Sequence, residues 1–450
     1  MIKKLLPVAC GAGFALVATQ VLAAQSGAGD GGAIAVGARK AILVAEVGLL
    51  MLVGRGLGEV MQRFGQPAVI GQLLAGLILG PSLFGWIWPH AHDLLFPKSA
   101  EQKDLITGLA NVGVLLLLLL TGMETDLKLV KKIGAPALAV TATGVAVPFA
   151  CGVGLGLALP SSLLPNPGER LVAALFLGTA LSISSIKIVA MVVREMNFMR
   201  RNLGQIIVAS AILEDTVGWI IVSLTLGVAG AGGAPVWSSF VKPVIGAAVF
   251  LAFSYTIGRR LVFWLIRKVN DSFESDYAVV TAILIVMCAM ALITEEIGVN
   301  TVLGAFVAGV LVGESPILSQ HIEDQLRGFI TAFMMPVFFG LSGLSADLTV
   351  LANPTLALLT LGLVLIASVG KFGGAFLGGR LSGLTARESL ALGCGMNARG
   401  STEVIVASIG LTMGVLSQNL YTMIVTMAVV TTLAMPPMLR WALQRLPISR

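Results

Sequence analysis

Apolar residues in this chain do not alternate with polar ones on a helical face. They run together in blocks long enough to cross a bilayer, separated by short polar segments. About thirteen such blocks are legible, at roughly 41–62, 67–87, 104–124, 133–159, 170–193, 203–228, 239–262, 276–294, 299–313, 328–345, 354–376, 388–412 and 419–440. Only helices or closed barrels satisfy every backbone polar group in lipid, and blocks of this length predict helices. The predicted fold class is therefore an all-α polytopic membrane protein with about 13 transmembrane helices. One segment breaks the pattern: Gly313 to Arg327, with Glu314, His321, Glu323 and Asp324, is too polar to span and predicts an interfacial helix.

The ends read differently from the middle. Residues 1–24 carry Lys3 and Lys4, an apolar stretch to Leu22, then Ala23 and Ala24, which predicts a secretory signal peptide; an uncleaved first anchor helix is the alternative. Residues 25–40 read as a flexible leader and 441–450 as a cytoplasmic tail, with no soluble regulatory domain attached. Counting spans from an external N-terminus places Arg63, Lys128, Lys131, Lys132, Arg200, Arg201, Arg259, Arg260, Arg267, Lys268, Arg380, Arg387, Arg440 and Arg445 on one side. Loops on the other side are poor in Lys and Arg. This bias predicts an external N-terminus and a cytoplasmic C-terminus.

Composition agrees with the blocks. Of 450 residues 56% are hydrophobic and 12% charged, with a mean hydropathy of +0.94, far from a soluble globular chain. A net charge of +6 is spread over short inter-helix clusters, so it marks topology and not a nucleic-acid surface. Cys10, Cys151, Cys288 and Cys394 have no paired spacing, and no cofactor is predicted.

Candidate chemistry lies where charge interrupts an apolar block. In Ala211-Ile-Leu-Glu-Asp-Thr-Val-Gly-Trp219, Glu214 and Asp215 fall near the middle of a span. Acids at that depth cost several kcal/mol unless partnered, which makes them an ion or proton pathway by default. Two other blocks are broken by small and polar residues, one by Thr179, Ser182, Ser184 and Ser185 ahead of Lys187, the other by Asn397, Arg399, Ser401, Thr402 and Glu403. Unwound helices expose carbonyls and half-helix ends that coordinate cations, and two of them crossed in space would frame the acids. Each serine or threonine also has a structural reading, bonding back to its own helix. Arg399 and Glu403, spaced i to i+4, can pair with each other or act as scaffold. Glu295 and Glu296 are expected in solvent, and Glu124 and Asp126, near the basic cluster Lys128 to Lys132, are expected at a surface. Lys371, flanked by Gly370, Gly373 and Gly374 inside an apolar span, needs an acid, either Glu214 or Asp215; Lys187 makes the same demand.

Two motifs occur twice in the same order. Ile70-Gly-Gln-Leu-Leu-Ala-Gly-Leu-Ile-Leu-Gly80 is echoed by Leu303-Gly-Ala-Phe-Val-Ala-Gly-Val-Leu-Val-Gly313, and Gly122-Met-Glu-Thr-Asp-Leu127 by Gly343-Leu-Ser-Ala-Asp-Leu348. The first motif runs inward to outward in one copy and the reverse in the other. Halves of about 67–228 and 299–440 are therefore predicted to be inverted repeats, the arrangement of secondary transporters.

With these motifs, the acidic pair before Thr216-Val-Gly-Trp219, Gly370-Lys-Phe-Gly-Gly374 and Gly395-Met-Asn-Ala-Arg-Gly400, the chain resembles the monovalent cation/proton antiporter-2 family over about 41–440. The resemblance implies a sodium/proton antiporter-like fold with two discontinuous crossing helices, a homodimer with a panel domain and a mobile core, and elevator-like transport. It implies that Asp215 binds the transported Na+ or K+, with Li+ a further candidate, in competition with H+, and that Glu214 pairs with Lys371. Two departures stand out. Family members usually carry Asp-Asp or Asn-Asp where this chain has Glu-Asp, and Lys187 occupies a place that is commonly small or apolar. Lys187 is read as neutralising Glu214 and freeing Lys371, with occupation of the cation site as the alternative.

The function expected is exchange of a monovalent cation for H+ across a bacterial-type inner membrane. A channel-like potassium efflux pathway, or a non-transporting sensor or assembly subunit, are the alternatives, and the reading leaves room for a separate regulatory subunit. An intramembrane hydrolase is disfavoured because His90, His92 and His321 all fall outside the spans.

Overall fold

A computed structural model of the chain describes residues 36–446 other than 97, 98, 200, 230–235, 274 and 317. The predicted signal peptide, residues 25–35 of the leader, Arg200 and the last residues of the tail lie outside the described residues. Every principal element is a helix. In chain order they are α1 Val36–Arg63, α2 Ala68–Leu79, α3 Ala100–Met123, α4 Ala135–Ala158, α5 Arg170–Ser182, α6 Ile186–Glu195, α7 Asn202–Ala229, α8 Val236–Phe253, α9 Arg259–Ser272, α10 Asp276–Glu296, α11 Thr301–Gly313, α12 Gln320–Phe329, α13 Met335–Leu344, α14 Pro354–Leu381, α15 Ala386–Met396, α16 Ser401–Thr412 and α17 Gln418–Gln444. Taken as continuous spans, eleven are long and apolar enough to cross a membrane among the described residues, and α11 and α16 are shorter apolar helices.

Local chemistry sets the helix starts. Ser275, Asn300, Ser319, Asn353 and Ser417 each accept a backbone N–H at the first turn of α10, α11, α12, α14 and α17, and Pro354 sits where a missing N–H costs nothing. At α15 the Thr385 hydroxyl and the Glu388 carboxylate form a reciprocal capping box. The polar segment predicted as a separate interfacial helix is instead the start of a span. From Gln320 the chain runs through a wide π-helical turn, Ile330–Met334, straight into α13. Ile322, Leu326 and Ile330, four apart, turn one buried face inward and carry the helix across the polar stretch.

The two repeated motifs pack on each other reciprocally. The glycines of α2 meet α13: a Cβ on Gly76 would lie 1.9 Å from the Gly340 carbonyl oxygen. Those of α3 meet α11, where a Cβ on Gly122 would lie 2.2 Å from the Phe306 oxygen and one on Gly309 2.2 Å from the Leu119 oxygen. Backbones this close leave no room for any side chain, as is usual where helices associate in lipid. Gly122→Val should therefore abolish the yield of monodisperse protein. Gly362→Ala, where an added Cβ meets nothing within 4 Å, should be tolerated; equal loss from both would show that the close approach is not what matters.

The outer faces are apolar as well. Leu358, Leu361, Leu365 and Val369 of α14 are exposed, whereas the next face of the same helix buries Ala367, Gly370 and Lys371. The most enclosed long spans are the interrupted α5–α6 and α7, which carry the candidate residues.

Candidate functional site

The interruptions at Ile183 to Ser185 and at Asn397 to Gly400 lie against each other. Helix ends leave backbone groups without intrahelical partners, and here each break supplies what the other lacks. The Ser184 hydroxyl donates to the Met396 carbonyl at 2.6 Å, and the Ser185 amide donates to the Ala398 carbonyl at 2.8 Å. The two discontinuous helices thus cross at their breaks. Arg399, fully buried, donates to the Ala180 carbonyl at 3.0 Å near the end of α5 and to the Ala367 carbonyl at 2.9 Å in α14. Its own carbonyl accepts from the Thr432 hydroxyl at 2.7 Å. Arg399 and Glu403 do not form the i to i+4 ion pair weighed from the sequence. Glu403 instead accepts the Gly400 amide at 2.7 Å, holding its carboxylate at the N-terminus of α16, where the helix dipole favours negative charge.

Successive residues on a helix point about 100° apart, so Glu214 and Asp215 of α7 face different neighbours. Glu214 faces Lys371. The ammonium lies 2.6 Å from Glu214 Oε2, donates to the Gly144 carbonyl at 2.9 Å and also donates to the Ser182 carbonyl at the end of α5. All three ammonium protons are accounted for, with both side chains fully buried. Two of these acceptors exist because the chain breaks its own ladders. Pro148 inside α4 has no N–H to offer the carbonyl four residues back, Gly144, and Ser182 is the last residue of its helix. A Cβ on Gly144 would lie 2.2 Å from Glu214 Oε1, so a side chain there would push on the carboxylate that pairs with Lys371.

Asp215 faces the crossing. Asp215 is 3% exposed and forms no ion pair with any described residue; the Thr402 hydroxyl, in the first turn of α16, lies 3.4 Å from its carboxylate, and the Trp219 indole N–H is also near it. Thr402 lines a small cavity together with Lys187, Trp219, Ser401, Thr121 and Phe339.

The remaining expectations divide. Thr179 and Ser182 bond back to carbonyls of their own helix, Thr179 also meeting Thr225, while Asn397 is buried in the break with no partner for its Oδ1 among the described residues. Glu295 and Glu296 are exposed, and Asp126 caps the short helix that follows it. The pairing of Lys187 with Glu214 is wrong: its ammonium lies 3.2 Å from Glu124 Oε2. As the second residue of α6, Lys187 points out of the buried end of the half-helix towards the cavity, whereas Glu214 is already held by Lys371. Glu124, expected at a surface, is partly buried, with Lys187 and Arg327, the latter at 3.2 Å, on its two oxygens.

The family described as "Sodium/hydrogen exchanger, transmembrane" matches residues 48–445. The chain belongs to this family. It is a secondary antiporter of a monovalent cation against protons, and not an enzyme. The exchanger is 29% identical over 398 residues to the Na+/H+ antiporter NhaS4 of Synechocystis, covering 88% of this chain and 96% of that one. It is 29% identical over 396 residues to the Na+/H+-K+ antiporter GerN of Bacillus cereus, covering 88% and 95%. It spans about half the length of the Arabidopsis thaliana cation/H+ antiporters it also matches. The fold is similar to that of the sodium proton antiporter MjNhaP1 of Methanocaldococcus jannaschii, with a TM-score of 0.65 at 16% identity over 90% of this chain and 99% of that one.

Three features of the exchanger were missed by sequence reasoning. Gly144 carries a signal only in retrospect, as the residue four before a proline in an apolar block. Arg327 was placed on an interfacial helix, away from the acid it meets. Glu46, buried in α1, accepts the Gln102 amide at 2.8 Å and showed the same sign as Glu214, a lone acid inside an apolar run.

Proposed function

We propose that this exchanger moves Na+ or K+ against H+ by alternate occupation of the Asp215 carboxylate. The observation that carries the reading is the unequal fate of two adjacent buried acids. Glu214 is neutralised by Lys371 and cannot bind a mobile cation without displacing an ammonium. Asp215 has no ion-pair partner among the described residues and lies against the crossing of two broken helices, bonded to Thr402 at the edge of a cavity that Ser401 also lines. A carboxylate that must be neutral to cross the low-dielectric interior can be neutralised by a metal ion or by a proton, and the choice couples the two fluxes. Backbone carbonyls and hydroxyls at the breaks are the groups a partly dehydrated monovalent cation needs.

The reciprocal packing of the repeated motifs supports two inverted halves, about 67–228 and 299–440, with α5–α6 and α15–α16 as the equivalent broken pair and 13 spans in all. Carriage of the site between the two faces is elevator-like, with the chain acting as a homodimer in a bacterial-type inner membrane. The bias of Lys and Arg supports an external N-terminus and a cytoplasmic C-terminus. Purified protein in liposomes with an imposed pH gradient provides the test. Addition of Na+ or K+, with Li+ tried in turn, should dissipate the gradient. Cation flux without proton counter-flux would make the protein a channel, and no response to any alkali cation would leave it a sensor or assembly subunit.

A further inference from the structure

The Lys187 ammonium is held by one acid and shares a cavity with the residue bonded to a second. In the structure it is held by Glu124 at the end of α3, and Glu124 is held in turn by Arg327, itself bonded to Glu323. Lys187 also lines the cavity shared with Thr402, the residue bonded to Asp215. Lys371 and Arg399 are turned away onto other acceptors. The cavity therefore carries on its wall an ammonium on a flexible four-carbon stem, a third exposed, and also Thr402, behind which lies an acid with no ion-pair partner among the described residues.

We propose that Lys187 is a specificity-determining residue, a tethered cation that alternates between Glu124 and Asp215 and competes with the transported ion for the Asp215 carboxylate. The proposal rests on the reading of Asp215 as the ion-binding group. With a cation on Asp215, like-charge repulsion holds the ammonium on Glu124. With Asp215 empty and ionised, the ammonium is drawn to it, because a bare carboxylate there attracts more strongly than one already shared with Arg327. Lys187 thus sets how much cation is needed to load the site. Glu124 and Arg327 set how readily the lysine leaves.

The test is the half-saturating Na+ or K+ concentration for exchange by the full chain in proteoliposomes at fixed pH. Removing the competitor in Lys187→Met should lower it about tenfold, the effect of one like charge at the edge of a site. Lys187→Arg keeps the charge and should stay nearer the wild type. Glu124→Gln frees the lysine and should raise the value by a similar factor, and the double variant should match Lys187→Met alone, since the glutamate acts only through the lysine. A cation titration of thermal stability in detergent reads the same order of affinities without requiring turnover.

Lys187→Met with a lower rate at unchanged half-saturation, or Glu124→Gln still shifting the value once Lys187 is gone, overturns the proposal and leaves the lysine a merely structural tie. Asp215→Asn separates the two readings. If that variant is inactive while Lys187→Met shows wild-type half-saturation, only the role of Lys187 fails. If it exchanges normally, or if the wild type shows no exchange, both fail.

Discussion

Asp215→Asn should abolish cation-driven proton movement, by at least about a hundredfold in initial rate, while the protein still folds and melts as before. The substitution preserves shape and leaves an oxygen to accept from Thr402, so the packing around α7 and α16 is undisturbed. What disappears is the charge. An amide neither takes up a proton nor compensates a monovalent cation, and stranding a buried cation without its acid costs on the order of 3 kcal/mol or more. Decay of an imposed pH gradient in liposomes, with melting followed in parallel, checks both halves of the expectation. Retained exchange would remove Asp215 from the site.

Lys371→Ala is expected to have the largest effect on stability, about 3–5 kcal/mol, because it strands the fully buried Glu214 and frees two carbonyls that have no other donor in place. The carbonyl of Gly144 is the harder of these to rescue, since Pro148 removes its helical partner. Lys371→Met with Glu214→Gln should recover much of the loss, as removing both charges costs less than removing one. The readout is the melting temperature in detergent of the single and double variants. A single variant that melts like the wild type, or a double variant that melts as low as the single, would mean the pair does not bind these helices together.

The outline of the fold and the centre of the site were both open to reading from the sequence because lipid removes ambiguity. A block of apolar residues must be a helix there, and a charge inside one must be answered. Hence Lys371 was known to need Glu214 or Asp215, the resemblance singled out Glu214, 157 positions away, and the breaks at Ser184 and Asn397 were visible as polar interruptions. The rest depended on direction, which spacing does not give. Lys187 was assigned to Glu214 because both were buried charges in need of partners; the rotation of the half-helix from Ile186 sends it to Glu124 instead. The stretch from Gln320 looked too polar to be part of a span, yet Ile322, Leu326 and Ile330 are spaced to carry it. Gly144 was invisible because what it contributes is a backbone carbonyl, which no side-chain pattern marks.

The central claim, one carboxylate serving metal ion and proton by turns, is tested most directly by the half-saturating Na+ or K+ concentration as a function of pH. Competition at a single group predicts that, where protons occupy Asp215, this concentration rises about tenfold for each unit of acidification while the maximal rate holds steady. A half-saturating concentration that stays constant while the maximal rate falls would place the two ions on separate groups and contradict the account.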